Sequence, residues 1–289
     1  MLLLDLVIPT RVNARWQYSG MDSIEGCAKK THFKNYPYPV EYVYNSRGFR
    51  DAEWPESVDE LRNAIWCVGD SFTVGLGSPL EHTWPYLLQQ QAGRRCINIS
   101  MDGASNDWIA RKTQRLIEEI NPADIVIMWS YTSRREKNDD SLSDEDRRTQ
   151  GSTQGSALCN GLENAVNFKS CMDSLSHSNI THTAVPDAYD SQNVIINELT
   201  TLYNTVADPS WPQEITNRAT LETLPLHILN ELKSLEVYNQ ISDGFDTIDI
   251  LDHCDRVYKI KQVTQLDRAR DFHHFDKLTS QWFIEQICQ

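Results

Sequence analysis

A serine stands at the end of an apolar run in the first quarter of the chain. The run 64–68 is followed by Gly69, Asp70 and Ser71. Such a run is typical of a strand that is buried on both faces of a sheet. A helix that begins after Ser71 would direct its positive end toward negative charge beside the hydroxyl. This setting suits a nucleophilic serine, although a plain strand-ending turn accounts equally well for the same three residues.

A carboxylate and an imidazole near the other end of the chain could activate that serine. Asp271 and His274 lie three positions apart, just before a predicted closing helix. In a turn both side chains can face one way, so that the carboxylate orients an imidazole that serves as general base. The ordinary pKa of histidine suits this task. His273 is one position off this spacing and is predicted to be structural or to face the substrate.

A metal site is the alternative for the same histidines. His253, Cys254, His273 and His274 carry donor atoms, but their spacing matches no common zinc site. We therefore predict neither a metal nor an organic cofactor.

The elements that must position these side chains alternate along the chain. The first half predicts a strand at 64–68, a helix at 84–91 between Thr83 and Gly93, a strand at 96–99, a helix capped by Asn106 or Asp107 that ends at 120, and a strand at 124–129. The second half predicts a helix at 158–175, a strand at 180–185, helix between 221 and 238, a last strand at 247–252 and a helix at 279–287. This alternation predicts a three-layer α/β/α sandwich with a central parallel sheet.

The remaining segments are predicted to be additions to that domain. Residues 1–60 are predicted to form an N-terminal extension packed on the domain, which spans 61–289 with an insertion near 133–245. The charged, serine-rich stretch 133–156 is predicted to be a surface loop. The apolar start, 1–9, is interrupted by Asp5 and Pro9 and is predicted to be a strand rather than a signal peptide.

Composition argues against some partners and favours one compartment. The 289 residues include 41 acidic and 27 basic side chains, a formal charge of −14, which disfavours nucleic acid. Nowhere do about 18 apolar residues run together, so no membrane span is expected. Seven cysteines without paired spacing favour reduced thiols and a cytoplasmic location.

Three motifs in order resemble the SGNH (GDSL-like) serine hydrolases. Residues 69–72 (Gly-Asp-Ser-Phe) resemble the first block of that superfamily, 98–106 are similar to the second, and Asp271-x-x-His274 resembles the last. Residues 45–50 also resemble a segment that often precedes the catalytic domain. The resemblance covers 65–289 and implies a flavodoxin-like sheet. It also implies that Ser71 is the nucleophile and that the N–H groups of Ser71 and Gly103 bind the oxyanion.

The third block departs from the pattern of the superfamily. Gly-x-Asn-Asp is usual there, with the Asn as an oxyanion donor, whereas Thr132 stands in the place of the Asn. A hydroxyl can donate one hydrogen bond, but losing such a donor typically costs about 2.7–4 kcal/mol. Asn106, Ser133 and Arg134 are candidate substitutes. For Arg134 a solvated position, paired with Glu136, is the more conservative prediction.

For two further sets of side chains, a structural role is the alternative to a functional one. Trp84, Trp108 and Trp129 could form a substrate platform, but their positions favour the core. Asp70 could act as an acid or base, but a carboxylate that accepts turn N–H groups is favoured.

The resemblance implies hydrolysis of a carboxylic ester, such as a carbohydrate O-acetyl group, a short acyl ester or a lipid. Acyl transfer to a sugar hydroxyl by the same residues is the first alternative and needs a site that excludes water. A non-catalytic carbohydrate-binding or structural module is the second, and the missing Asn supports it. A small-molecule or carbohydrate ester is thus the expected partner, and the sequence does not determine the oligomeric state.

Overall fold

The computed structural model describes residues 6–137, 142–143, 157–177, 179–186, 188, 191–212 and 215–288. Its strands are β1 (Arg15–Trp16), β2 (Tyr42–Val43), β3 (Ile65–Gly69), β4 (Cys96–Ser100), β5 (Asp124–Trp129), β6 (Ile180–Ala184) and β7 (Lys261–Gln262). Its helices are α1 (Ile24–Cys27), α2 (Thr31–Asn35), α3 (Val58–Asn63), α4 (Ser71–Val74), α5 (Trp84–Ala92), α6 (Asn106–Glu119), α7 (Ala157–Asp173), α8 (Ser191–Val206), α9 (Arg218–Glu222), α10 (Leu226–Lys233), α11 (Val237–Tyr258) and α12 (Lys277–Ile287).

A five-stranded parallel sheet forms the centre of the fold. Its strand order is β4-β3-β5-β6-β7, so the first strand of the sheet lies between the second and the third. All five residues of β3 are buried, as expected for a strand covered on both faces. Helix α5 packs against α12, whereas α7 packs against α6 and α11. The predicted α/β/α sandwich with a central parallel sheet is therefore confirmed.

The order of the strands also determines where a ligand would bind. The connection from β3 leads to β4 on one side of the sheet, whereas the connection from β5 leads to β6 on the other side. This divergence creates a crevice at the carboxyl ends of β3 and β5. Ser71 follows β3, and Ser130 follows β5. The predicted nucleophile therefore lies at the point where open sheets of this topology bind their ligands.

The predicted last strand, 247–252, is wrong. These residues lie inside α11, a helix of 22 residues. Gly244, Thr247, Leu251 and Cys254 of that helix are buried, at the three- and four-residue spacing of one helical face. Residues 247–252 are part of this longer helical pattern. The fifth strand of the sheet is instead β7.

Two other predictions about ends of elements also need correction. Of the predicted N-terminal strand, residues 1–5 lie outside the described part of the chain, and residues 6–8 form no strand. Pro9 begins a single 3-10 turn instead, and Ile8 N–H donates to the carbonyl of Arg47. Helix α6 begins after Ser105, whose hydroxyl accepts from the Trp108 N–H, rather than after Asn106 or Asp107.

A second cluster of apolar side chains lies within the predicted insertion. It is formed by α8, α9, α10 and the first half of α11, and its buried members are Ile195, Leu199, Tyr203, Trp211, Ile215, Leu221, Leu224, Ile228, Leu232, Ile241 and Phe245. The predicted helix between 221 and 238 is divided at Pro225, because proline cannot continue a helix as a hydrogen-bond donor. Most of the predicted loop at 133–156 lies outside the described residues.

Two general expectations bear on these elements. None of the described helices is long and apolar enough to cross a membrane. Cys67 and Cys96 lie in β3 and β4. In the described part of the chain six cysteines are free thiols, and five of these are buried.

His182 is a titratable group between the sheet and α11. Its Nδ1 accepts from the indole N–H of Trp129 at 3.1 Å, and the two rings lie parallel with centroids 6.0 Å apart. Tyr258 packs on the same imidazole. Burial lowers the pKa of His182 from 6.5 to about 4. The imidazole is therefore neutral at neutral pH, as its role as an acceptor requires.

Acidification is expected to destabilise the protein through His182. The unfolded imidazole takes up a proton near pH 6.5 and the folded one only near 4. The stabilising contribution is fully present above pH 6.5 and is lost as the pH falls through this window, by up to about 3 kcal/mol. Urea unfolding from about pH 7.5 to about pH 4 measures the loss, and His182→Gln should lose less over this range. Equal losses in both proteins would contradict the assignment.

Candidate active site

The structure brings Ser71, His274 and Asp271 into one hydrogen-bonded line. His274 Nε2 lies 2.7 Å from Ser71 Oγ, and His274 Nδ1 lies 2.5 Å from Asp271 Oδ2. All three side chains are at least 98% buried. The arrangement has the order nucleophile, base and orienting carboxylate that acyl transfer requires.

Helix α4 sets the position of Ser71. Asp70 caps this helix, since its Oδ1 accepts from the Phe72 N–H at 3.0 Å. Gly69 is required by a close approach, because a Cβ there would lie 2.1 Å from Thr73 Oγ1 and 2.9 Å from the Met128 carbonyl oxygen. Ser71 is the first residue of the helix, so its N–H has no acceptor within the helix. The sequence therefore forms a tight strand-to-helix turn with the serine at its apex.

A turn before α12 sets the positions of Asp271 and His274. Asp271 Oδ1 accepts from the backbone N–H groups of His273 and His274, each at 3.0 Å. Phe272 between them has φ 61°, a left-handed conformation that costs energy for a residue other than glycine. Burial by itself raises the pKa of the Asp271 carboxyl, but the hydrogen bonds from His274 and the two N–H groups outweigh it. The net pKa is lowered.

Residues of the predicted N-terminal extension contact this turn. Lys30 Nζ donates to the Asp271 carbonyl oxygen at 2.7 Å, and His32 Nε2 lies 3.0 Å from the Ala269 carbonyl oxygen. Arg270 donates to both carboxylate oxygens of Asp22, at 2.8 and 2.5 Å. Sequence reasoning missed these residues because they lie in short elements without periodicity, about 240 positions from the turn that they contact.

A second carboxylate links the extension to the same region. Asp276 Oδ1 lies 2.8 Å from His82 Nδ1 and accepts from Ser78 Oγ at 2.9 Å. The hydroxyl of Tyr36 donates to the other oxygen. Burial, reinforced by Asp276, raises the pKa of Tyr36, so the phenol keeps its proton. The turn that carries the histidine is therefore fixed on both sides.

Arg50 supports the far end of α4. It is buried, and its guanidinium donates to the carbonyl oxygens of Val74, Gly75, Ser78 and Glu41 at 2.6–3.1 Å. It also lies over the ring of Tyr42. Burial lowers the pKa of Arg50. Arg50 is the last residue of the segment 45–50 that resembles one often preceding the catalytic domain, and it reaches the helix that carries Ser71.

Gly103 and Thr132, the other predicted oxyanion donors, lie on turns after β4 and β5. Gly103 has φ 73° at the third position of a turn that the Ala104 N–H closes on the Met101 carbonyl. Thr132 is buried in a turn that the Arg134 N–H closes on the Tyr131 carbonyl. Both turns follow strands that flank β3, at the edge of the sheet that carries Ser71.

The structure places the three candidate substitutes for the missing Asn in different surroundings. Asn106 is engaged, because its Oδ1 accepts from the Ser130 N–H and its Nδ2 donates to the Tyr131 carbonyl. Ser133 is half-buried in the same turn. Arg134 donates to Asp70 Oδ2 at 2.9 Å.

The prediction for Arg134 is therefore wrong. Its side chain is only 22% exposed, and it pairs with Asp70 rather than with Glu136. Glu136 pairs with Arg111 instead. The buried carboxylate of Asp70 attracts the guanidinium away from the solvated position that the sequence suggested.

The remaining predictions concern side chains around the site. Trp84, Trp108 and Trp129 are at least 99% buried and belong to the core. Asp70 accepts a turn N–H, as favoured. His273 is half-buried beside His274; burial and then the neighbouring imidazole lower its pKa.

The metal alternative finds no support among the described side chains. His253 and Cys254 lie on α11, whereas His273 and His274 lie in the turn before α12. Within the described ranges, no three His, Cys, Asp or Glu side chains are grouped so that they could hold a metal ion.

Comparison with known proteins gives structural neighbours only. No protein-family model and no curated protein matches the chain. TesA is similar, with a TM-score of 0.39 and 13% identity over 78% of this chain and 96% of its own. A lipase/acylhydrolase from Enterococcus faecalis is similar with a TM-score of 0.35 and 12% identity, over 78% of this chain and 93% of its own. A putative GDSL-like lipase from Bacteroides uniformis is similar with a TM-score of 0.33 and 11% identity, over the same shares of the two chains.

Removal of the Arg50 guanidinium is expected to destabilise the protein strongly. Arg50→Met leaves buried carbonyl groups at the end of α4 without donors, which should lower the free energy of unfolding by about 3–5 kcal/mol. Arg15→Met is the matched control, because Arg15 lies in the same extension with an exposed ion pair to Glu41, worth at most about 1 kcal/mol. Denaturant unfolding measures both. Similar losses for the two variants would contradict a structural role for Arg50.

Proposed function

We propose that this protein is a serine hydrolase that cleaves carboxylic esters. The observation that carries the proposal is the unbroken line from Asp271 through His274 to Ser71, at the carboxyl edge of a parallel sheet. A serine that stands at a tight turn and contacts an oriented imidazole is the arrangement by which proteins activate a hydroxyl for attack on an acyl group.

The first half of the reaction transfers the acyl group to Ser71. With the Nδ1–H of His274 donating to Asp271, Nε2 is the acceptor and removes the proton of Ser71 as Oγ attacks the acyl carbon. The tetrahedral intermediate places negative charge on the former carbonyl oxygen. The N–H groups of Ser71 and Gly103 and the hydroxyl of Thr132 are the proposed donors to it. His274 then gives its proton to the leaving alcohol.

The second half returns the enzyme to its starting state. Water replaces the alcohol and gives a proton to His274 as its oxygen bonds to the acyl carbon. The bond from that carbon to Ser71 Oγ then breaks, His274 returns the proton to Oγ, and the carboxylic acid leaves. The lowered pKa of Asp271 keeps its carboxylate ionised, so that it stabilises the imidazolium in both halves. Asp271 does not itself accept the proton.

The substrate class follows from the same site and from the charge of the chain. A short acyl ester or a carbohydrate O-acetyl group needs only the triad and the donors above. A net charge of −14 disfavours anionic polymers such as nucleic acid. We therefore propose a neutral small-molecule or carbohydrate ester as the substrate.

Loss of either the nucleophile or the base is expected to abolish hydrolysis. Ser71→Ala and His274→Ala should each lower kcat on p-nitrophenyl acetate and butyrate by at least about 10³-fold, because each step requires both groups. The exposed residues Ser176 and His227 provide matched controls as alanine variants. Circular dichroism checks that all variants are folded.

The outcome separates the three classes of function. Turnover that depends on Ser71 and His274 supports the hydrolase, and product analysis with added sugar alcohols shows whether acyl transfer competes with water. Equal rates for wild type and Ser71→Ala on every ester would count against the proposal and favour a binding module.

The hydroxyl of Thr132 is expected to contribute to kcat and not to binding. Thr132→Val keeps the shape but removes the donor, so kcat should fall by about 10- to 1000-fold with KM little changed. Thr132→Ser keeps the donor and is the control. If the valine variant is as fast as the serine variant, Thr132 is not an oxyanion donor.

A further inference from the structure

Asp70 is a buried carboxylate beside the nucleophile that the triad does not use. Its side chain is fully buried, and it precedes Ser71 directly in the chain. One oxygen accepts from the Phe72 N–H at 3.0 Å. The other accepts from Ser130 Oγ at 2.6 Å and from Arg134 Nη1 at 2.9 Å. The carboxylate therefore connects the nucleophile turn to the loop after β5.

The charge of this carboxylate opposes the proposed chemistry. The Phe72 N–H that it caps is next to the Ser71 N–H, which is a proposed donor to the oxyanion. Two like charges in a buried region repel each other much more strongly than in water. An uncompensated Asp70 would therefore raise the energy of the tetrahedral intermediate relative to the bound ester, which carries no charge at that oxygen.

Arg134 is placed to cancel this charge. Its guanidinium pairs with Asp70 and lies over the ring of Tyr131, whose edge packs against Phe72. Its backbone is fixed at both ends, since its N–H donates to the Tyr131 carbonyl and its carbonyl accepts from the Asn106 N–H. Among the described residues, Arg134 is the cation that bonds to Asp70.

We propose that Arg134 is a positioning residue for the ester hydrolysis: it neutralises Asp70, so that the carboxylate can hold the nucleophile turn without opposing the oxyanion. This inference rests on the proposed function. It explains how the cap of α4 remains compatible with an anionic intermediate. The charges of Arg134 and Asp70 also reach His273, where the first lowers and the second raises its pKa.

The test compares two single variants with the double variant. Arg134→Met leaves Asp70 uncompensated and should lower kcat on p-nitrophenyl butyrate by about 10- to 100-fold, with KM within about 3-fold of wild type. Asp70→Asn combined with Arg134→Met removes both charges and should recover at least about 10-fold of that loss. Arg134→Lys keeps the charge and should retain most of kcat.

A second measurement separates catalysis from stability. Urea unfolding of the same variants gives the stability coupling between Asp70 and Arg134, and kcat is measured where each variant is fully folded. If the fully folded Arg134→Met variant has the kcat of wild type, Arg134 is only structural and the proposal is wrong. If the double variant is as slow as Arg134→Met, the loss does not act through the charge of Asp70, and the proposal is again wrong.

A fluorophosphonate distinguishes failure of this inference from failure of the proposed function. Ser71 Oγ forms the bond to phosphorus, fluoride leaves, and the serine proton passes to His274, so the reaction needs no ester substrate. If Ser71 of wild type reacts and Arg134→Met reacts as fast, the nucleophile stands and the role of Arg134 is overturned. If Ser71 of wild type reacts with neither phosphonate nor ester, the proposed function fails, and this inference fails with it.

Discussion

The hydrogen bond between Ser71 and His274 joins residues that are 203 positions apart, and the rest of the structure is arranged around this constraint. A serine hydroxyl is a poor nucleophile unless a base lies within hydrogen-bond reach, and a misplacement of about 1 Å is enough to lose most of the advantage. The sheet provides the fixed reference, because β3 is paired on both sides and is fully buried. The histidine has no such strand beneath it and has to be held by other means.

The contacts that hold the histidine come mostly from the predicted N-terminal extension, residues 1–60. Lys30, His32 and Asp22 contact the turn that carries His274, and Tyr36 reaches Asp276 just beyond it. Arg50 of the same extension holds the end of α4, the helix that carries Ser71. One segment thus contacts both elements that carry the proposed triad, the helix α4 and the turn before α12. It offsets the strain of Phe272 with hydrogen bonds on either side, which is how an unfavourable backbone conformation persists at a functional site.

The parts that could be predicted from the sequence are those with local signals. The strands β3, β4 and β5 are short segments rich in apolar residues, α5 has its cap at Thr83 and its stop at Gly93, and Asp271 and His274 are close in the chain. Contacts between distant segments leave no such signal: nothing local shows that Arg134 turns toward Asp70 or that Lys30 reaches the Asp271 carbonyl. The error at 247–252 has a different cause, since a short segment of six residues with three apolar ones cannot be distinguished from part of a longer helical face unless the whole helix is considered.

The wide separation of Ser71 and His274 also has a consequence for the order of folding. The β3-α4 turn can form from residues that are adjacent in sequence, whereas the imidazole arrives only after β6, the long helix α11 and β7 have found their places. Contacts with such large sequence separation close late, because the entropy of the intervening loop must be lost before they form. During synthesis the serine would emerge roughly two hundred residues before its base. The proposed hydrolase would therefore stay inactive through most of its synthesis, and its activity would begin only with the finished fold.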